Sequence, residues 1–538
     1  MKTIIKLSLG MFLVLFFTSC TKNFDKINDN PNQPSEVSTP TLLTAGMKGL
    51  CDDIYDEWWG GRQSMLYAQY WCQRNYTSED RYAIRQNVNN QYWRLIYHDI
   101  KNLVEVIDLN TDADTKAKAS AYGDNNNQIA VATILKIWAM QIMTDTWGDI
   151  PYSEAFKGDA PTPIPTPTYD KQSAIYPVLL SQLAAAVALI DEAKSGFTSG
   201  DVVFGGDMGL WKKFGNSLRL RIAMRMSNTD AYATANAIVA EVGLDGFMTS
   251  NADNAKFYYI GATPNNSPLY DAWWTSSRND FTACKTLVNL LKGQDDTLNS
   301  KVNPIAVPGM VDPRLQMYTR PRSGAYIGMP YGMTDGQTQQ YWAKKVCPSY
   351  YGPAAYSSTY APVILNPKFP VVYMEYAEVE FMLSELNAWD VTHYTNGVRA
   401  SIENWRDLCI TLEGWDATKV SDFNTEMEAY MAALPAPTKT TVLTHKYLAL
   451  FNQAYQAWAE YRRTGEPSFL LQPGEISSTA TDGSDIIFNP LISITTIPWR
   501  MTYPQQEYTV NGASVTAAAA DLTGGDNMTT KLWWEPAK

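Results

Sequence analysis

Histidine is nearly absent from this chain. His98, His393 and His445 are the only three in 538 residues, and each stands alone in the sequence. That scarcity removes the commonest general base and metal ligand from most of the protein. No GxSxG elbow, HExxH helix, phosphate-binding glycine loop or GxGxxG turn occurs either. A glycosidase-type carboxylate pair remains open, since acidic residues are numerous, but no motif marks one. Cysteine is also scarce. Apart from Cys20, the cysteines are Cys51, Cys72, Cys284, Cys347 and Cys409, an odd set at wide spacing with no CxxC. A disulfide framework, a zinc cluster and a redox motif are all unsupported, and most of these thiols read as small buried hydrophobes. Positive charge is short as well: 43 Lys and Arg against 55 Asp and Glu give a net charge of −12. A nucleic-acid partner needs clustered cations and is excluded on that ground. The Asn28-Asp29-Asn30 cluster lacks calcium-loop spacing, and neither a cofactor nor a metal is expected.

Long apolar runs are missing except at the N-terminus. Lys2 and Lys6 precede an apolar stretch from Leu7 to Phe17, too short for the roughly 20 residues that span a bilayer as a helix. Thr18 and Ser19 then lead into Cys20, as in a bacterial lipoprotein signal removed before an acylated cysteine. Residues 1–19 are therefore the expected signal peptide. Cys20 is the expected lipidation site, and several acyl chains hold a protein on a membrane without a transmembrane helix. Residues 20–40, with Asn28, Asn30, Pro31, Asn32, Pro34 and Pro40, read as a flexible tether.

What the chain has in abundance is apolar and aromatic side chains: 45% hydrophobic, 18% charged, 17 Trp and 32 Tyr. Residues 41–538 read as one globular, mainly α domain. Helical periodicity runs over Thr41 to Tyr55, Gly61 to Tyr76, Gln91 to Leu109, Gln172 to Lys194, Gly209 to Ser227, Asp230 to Val242, Val371 to Trp389, His393 to Thr411 and His445 to Thr464. The stretch Gln128 to Phe156 begins with apolar residues all the way round a helix, which marks a rod enclosed by its neighbours. Asp145 and Asp149 at its end are the best candidate carboxylate pair, read in preference as acceptors for loop amides beside Gly148. Successive helical pairs suggest a tetratricopeptide-like helical hairpin scaffold at about 41–246 and 371–470, without a clean repeat of about 34 residues. Periodicity fades at about 247–370, apart from Thr282 to Lys292, in favour of Gly, Pro, Asn and Tyr. A long irregular ligand-binding region on a rigid scaffold fits this change. C-terminal loops fill 471–538.

Aromatic pairs are the most telling feature. Flat rings with polar edges suit sugar faces, while Asn, Asp and Arg meet hydroxyls. Trp58, Trp59, Trp273, Trp274, Tyr350 and Tyr351 are the expected glycan platforms, and Arg278, Asn279 and Asp280 the expected hydroxyl contacts.

Several stretches in order carry a family resemblance: Asn28-Asp29-Asn30-Pro31-Asn32, Thr146-Trp147-Gly148-Asp149-Ile150-Pro151-Tyr152, Phe204-Gly205-Gly206-Asp207, and Trp211 to Arg221. Asp312-Pro313-Arg314-Leu315, Tyr376-Ala377-Glu378-Val379, Ala457 to Gly465 and Lys531-Leu532-Trp533-Trp534 follow. Together they resemble the SusD/RagB-type nutrient-binding outer-membrane lipoproteins of the Bacteroidetes, in the SusD-like subgroup. The resemblance implies a non-enzymatic, outward-facing surface lipoprotein that binds a glycan and delivers it to a partner TonB-dependent (SusC-like) outer-membrane transporter. It admits peptide as the cargo of the same scaffold. A helical toroid-type glycoside hydrolase is the remaining alternative.

Overall fold

The computed structural model describes residues 37–229, 232–277, 280–321, 324–343 and 362–536. Cys20, Arg278, Asn279, Tyr350 and Tyr351 lie outside the described residues. Among the described residues the helices of nine or more residues are α1 (Thr39–Ile54), α2 (Gln86–Thr111), α3 (Asn125–Trp147), α4 (Gln172–Leu189), α5 (Met208–Arg225) and α6 (Ala233–Val242). After α7 (Asp335–Ala343) come α8 (Tyr376–Leu386), α9 (Val391–Leu408), α10 (Ala417–Ala432), α11 (Lys439–Ala449), α12 (Ala454–Thr464) and α13 (Gly512–Asp521).

The apolar rod is α3, and its surroundings explain its composition. The Asp124 side chain caps it by accepting from the amides of Asn126 and Asn127. From Asn127 to Trp147 nearly every residue is buried, with α2 and α4 along its flanks and α5 and α12 also against it. It stops where Gly148 takes φ +91 and donates its amide to the Thr144 carbonyl at 2.8 Å. Asp149 accepts not from a loop amide beside Gly148 but from the amide of Gln172, the first residue of α4, at 2.8 Å, and Asp145 pairs with the Tyr176 hydroxyl and with Arg225 at 3.3 Å. Both carboxylates are thus consumed by the scaffold.

Each helix from α1 to α6 packs on a neighbour close in sequence, and α8, α9 and α11 form a second such group. This is a tetratricopeptide-like arrangement, mainly α. On α4, Ile175, Leu179, Leu183 and Val187 are buried as their spacing predicts. By length and composition α4 is also apolar enough to cross a membrane; here it lies between α3 and α5.

Buried ion pairs join the two groups. Arg221 on α5 meets Glu378 on α8 at 2.6 Å, and Arg225 meets Glu460 on α12 at 2.6 Å. Lys446 and Arg463 converge on the same Glu460, and Arg463 also reaches Glu385. Burial alone would raise the Glu460 carboxyl, but Arg463, Lys446 and Arg225 hold it well below its ordinary range.

Three helical expectations fail. Only Ser64–Tyr67 of the stretch Gly61 to Tyr76 is helical, and Trp71–Gln73 is instead β1. It pairs antiparallel with Phe281–Ala283, in the register Trp71 to Ala283 and Gln73 to Phe281. Long-range pairing outweighs a local apolar period here, aided by the Asp80 carboxylate, which accepts from the Gln73 amide. Val371–Met374, rich in β-branched and aromatic residues, pairs with Ala255–Phe257 before α8 begins. His445 to Thr464 belongs to two helices, broken where Asn452 takes φ +72. Helices α7, α10 and α13 were not apparent in the periodicity, so α7 interrupts the irregular region and α13 the stretch 471–538 read as loops. Cys51, Cys72, Cys284 and Cys409 are buried, with no disulfide among them.

Candidate glycan-binding face

After α1 the chain turns tightly. The Asp56 carboxylate accepts from the Trp58 amide at 2.6 Å, and the Gly61 amide donates to the Asp56 carbonyl at 2.9 Å. A Cβ on Gly60 would lie 2.3 Å from the Ile54 carbonyl oxygen, and one on Gly61 2.5 Å from that of Glu57, so both positions need glycine. This turn sends two adjacent indoles in opposite directions. Trp59 goes inward and is fully buried, stacked on Trp147 at 5.3 Å and on Tyr92 at 5.7 Å. Trp58 stays half-buried, with the guanidinium carbons of Arg62 and Arg85 at 4.6 and 5.9 Å from its ring centroid.

Arg62 is the hub of the face. It is itself buried, donates from Nη2 to Asp280 at 2.9 Å, and has Glu79 at 3.6 Å and the Phe281 ring at 5.2 Å. The same Glu79 pairs with Arg85. Phe281 stacks on Trp71 at 4.3 Å, and Trp71 lies 5.8 Å from Trp273. The Trp71 indole N–H donates to Gly61 at 2.6 Å, which closes the circle. Two stretches far apart in sequence, 58–62 and 273–281, therefore share one rigid cluster.

The expected residues divide in two. Trp59 and Trp273 are fully buried, so their ring faces are spent on protein neighbours and offer no platform. Asp280, at 5% exposure, is engaged by Arg62 and is a buried brace more than a hydroxyl contact. Trp58 and Trp274 remain half-buried at the surface. Trp274 sits in the wide helical turn Asp271–Thr275, which the Asp271 carboxylate stabilises by accepting from Thr275 and Asn266.

An exposed aromatic that the sequence pattern does not single out is Tyr76. It is 58% exposed, at φ +57, in the loop after β1. The Asp335 carboxylate at the start of α7 accepts from the Thr77 amide at 3.1 Å, and Gln339 donates to Asn75 at 3.4 Å. An aromatic set among Asn, Thr, Ser and acidic residues was the available signal, hidden by assigning the stretch to a helix. Behind Trp58, burial and then the neighbouring Asp56 push the Glu57 carboxyl up to about 8. Among the described residues no three His, Cys, Asp or Glu side chains converge as a metal site.

A family of outer-membrane-associated proteins matches this sequence over residues 31–504, under the description "Starch-binding associating with outer membrane". The chain belongs to the SusD-like family. Solved structures share its fold: a SusD homologue from Parabacteroides distasonis superposes with TM-score 0.69 at 23% identity, covering 92% of this chain and 98% of that one. One from Bacteroides uniformis gives 0.68 at 22%, covering 92% and 99%. A chitin-binding SusD homologue from Flavobacterium johnsoniae gives 0.64 at 21%, covering 91% and 98%. No curated protein matches by sequence. In this SusD-like chain the resemblance-bearing stretches largely build the scaffold. Arg221, Glu378, Glu460 and Arg463 all belong to its internal ion pairs.

Proposed function

We propose that this SusD-like protein captures a glycan at the cell surface without cleaving it and passes it to a TonB-dependent outer-membrane transporter. One observation carries the glycan reading. Trp58 is held at the surface between Arg62 and Arg85 by a pre-formed ion-pair cluster that also anchors the segment bearing Trp274. Arg62 lies over one face of this rigid ring, and the part left open, beside the partly exposed Arg85, stacks on a sugar with little ordering cost. The family description and the chitin-binding homologue support carbohydrate as the ligand class. Trp274, Tyr76, Arg278, Asn279, Tyr350 and Tyr351 are the proposed further contacts. Acylation at Cys20 would keep this face at the outer surface of the outer membrane.

Calorimetric titration with chitin and starch oligosaccharides, and in parallel with peptides, tests the reading. Binding of an oligosaccharide, weakened about tenfold or more in Trp58→Ala, is the expected result. Peptide binding alone would move the cargo to the other class, and release of reducing ends from a polysaccharide would make the protein a hydrolase. Co-purification of a TonB-dependent barrel from detergent extracts tests the partner.

A further inference from the structure

A cavity of about 310 Å³ opens where the first turns of α2, the proline-rich loop after α3 and the segment 504–511 meet. It is separate from the Trp58 face. Between them runs a buried aromatic column, with Trp59 stacked on Trp147 and Trp93 edge-on to Trp147 at 5.1 Å. Trp93, Tyr97 and Phe156 form the apolar wall. The wall is held in shape: Tyr97 donates its hydroxyl to the Pro151 carbonyl at 2.7 Å, and Tyr169 donates to Glu507 at 2.7 Å.

Two features of this cavity are costly for a scaffold and useful for a ligand. Asn511 lines it at 5% exposure, and its Nδ2 donates to the Pro167 carbonyl at 2.8 Å, which fixes the amide orientation. Its Oδ1 is buried with no donor among the described residues. Such an acceptor destabilises the fold until a donor arrives. Phe156 takes φ +64, a strained conformation for a side chain of its size, of the kind that gathers at ligand sites. At the rim the exposed Arg94 guanidinium has no hydrogen-bond or ion-pair partner among the described residues.

We propose that this cavity is a second carbohydrate site, sized for a single sugar ring. The ring's C–H face packs on the aromatic wall, Arg94 donates to a hydroxyl oxygen at the rim, and a small shift of the Asn511 side chain brings its buried Oδ1 within reach of one hydroxyl. The volume lies at the small end of ligand pockets, which suits one ring and not an extended chain. The site stands on its own lining and survives even if the Trp58 face binds no glycan.

Saturation-transfer NMR on the full protein, with methyl glucoside, methyl galactoside and methyl mannoside as probes, tests it. At least one glycoside is expected to receive saturation. In the Trp58→Ala background, which removes the other face, its affinity is expected to fall about tenfold when Asn511→Leu is added. Should Asn511→Leu fail to fold by circular dichroism, Phe156→Gly relaxes the positive φ, removes one wall, and is expected to lose the same signal. No transfer to any of the three glycosides overturns the proposal. So does affinity that stays the same when the folded cavity substitution is added to Trp58→Ala.

Discussion

The Asp280 carboxylate accepts from Arg62 Nη2 at 2.9 Å across 218 positions of sequence, and both side chains are buried. This contact ties the turn carrying Trp58 to the segment carrying Trp274. Asp280→Asn leaves Arg62 with Glu79 at 3.6 Å. A loss of about 2–3 kcal/mol in unfolding free energy is expected, within the range for a charged hydrogen bond. Glycan affinity should fall although Asp280 touches no ligand. Denaturant unfolding and calorimetry on one variant check both effects; unchanged affinity would mean that the brace does not position Trp58.

Adjacent tryptophans should behave in opposite ways. Trp59→Ala removes a fully buried indole and is expected to cost about 3–5 kcal/mol of stability. Trp58→Ala should leave the melting temperature nearly unchanged and act on binding instead. A thermal melt beside a glycan titration separates the two.

Glu378 sits against Arg221 with both side chains almost wholly enclosed. Glu378→Ala strands a buried cation and is expected to cost about 3–5 kcal/mol. The double change Arg221→Met with Glu378→Met should cost less than that single change. A double variant weaker than the single one in urea unfolding would refute this.

His445 is fully buried, with Nδ1 accepting from Arg314 Nη2 at 2.8 Å. Burial first, and then the Arg314 charge, lower its pKa to about 3. The unfolded chain binds this proton near pH 6.5, so between about 6.5 and 3 the unfolded state holds more protons and stability falls with falling pH. The His445 ring resonances should not shift between pH 5 and 8. His445→Gln should flatten the acid side of the stability profile.

Cys20 as the anchor predicts that wild-type protein sediments with membranes and carries lipid mass, whereas Cys20→Ala appears in the soluble fraction. Equal sedimentation of both would remove the lipoprotein assignment.

The scaffold was the legible part of the sequence. Rod α3 has no polar face, and α4 has apolar residues at helical spacing, so local pattern and final burial agree. Legibility failed where distant segments decide the local structure. Trp71–Gln73 is a strand because Phe281–Ala283 lies beside it, and no window around residue 71 contains that information. The same holds for the face. Composition marked Trp58, Trp59, Trp273 and Trp274 alike, but inward or outward direction depends on a glycine-permitted turn and on the Arg62 hub.

The ion pairs of α5 also bear on how the chain is made. Arg225 waits for Glu460, 235 positions later. Until α12 has been synthesised, that guanidinium has only Asp145 at 3.3 Å, and the side of the apolar rod that α12 covers lies open. Contacts of such sequence separation close late and leave early intermediates exposed to aggregation. Residues 41–246 on their own are therefore a poor target for expression, and chaperones that hold the growing chain matter more to its yield than to its final stability.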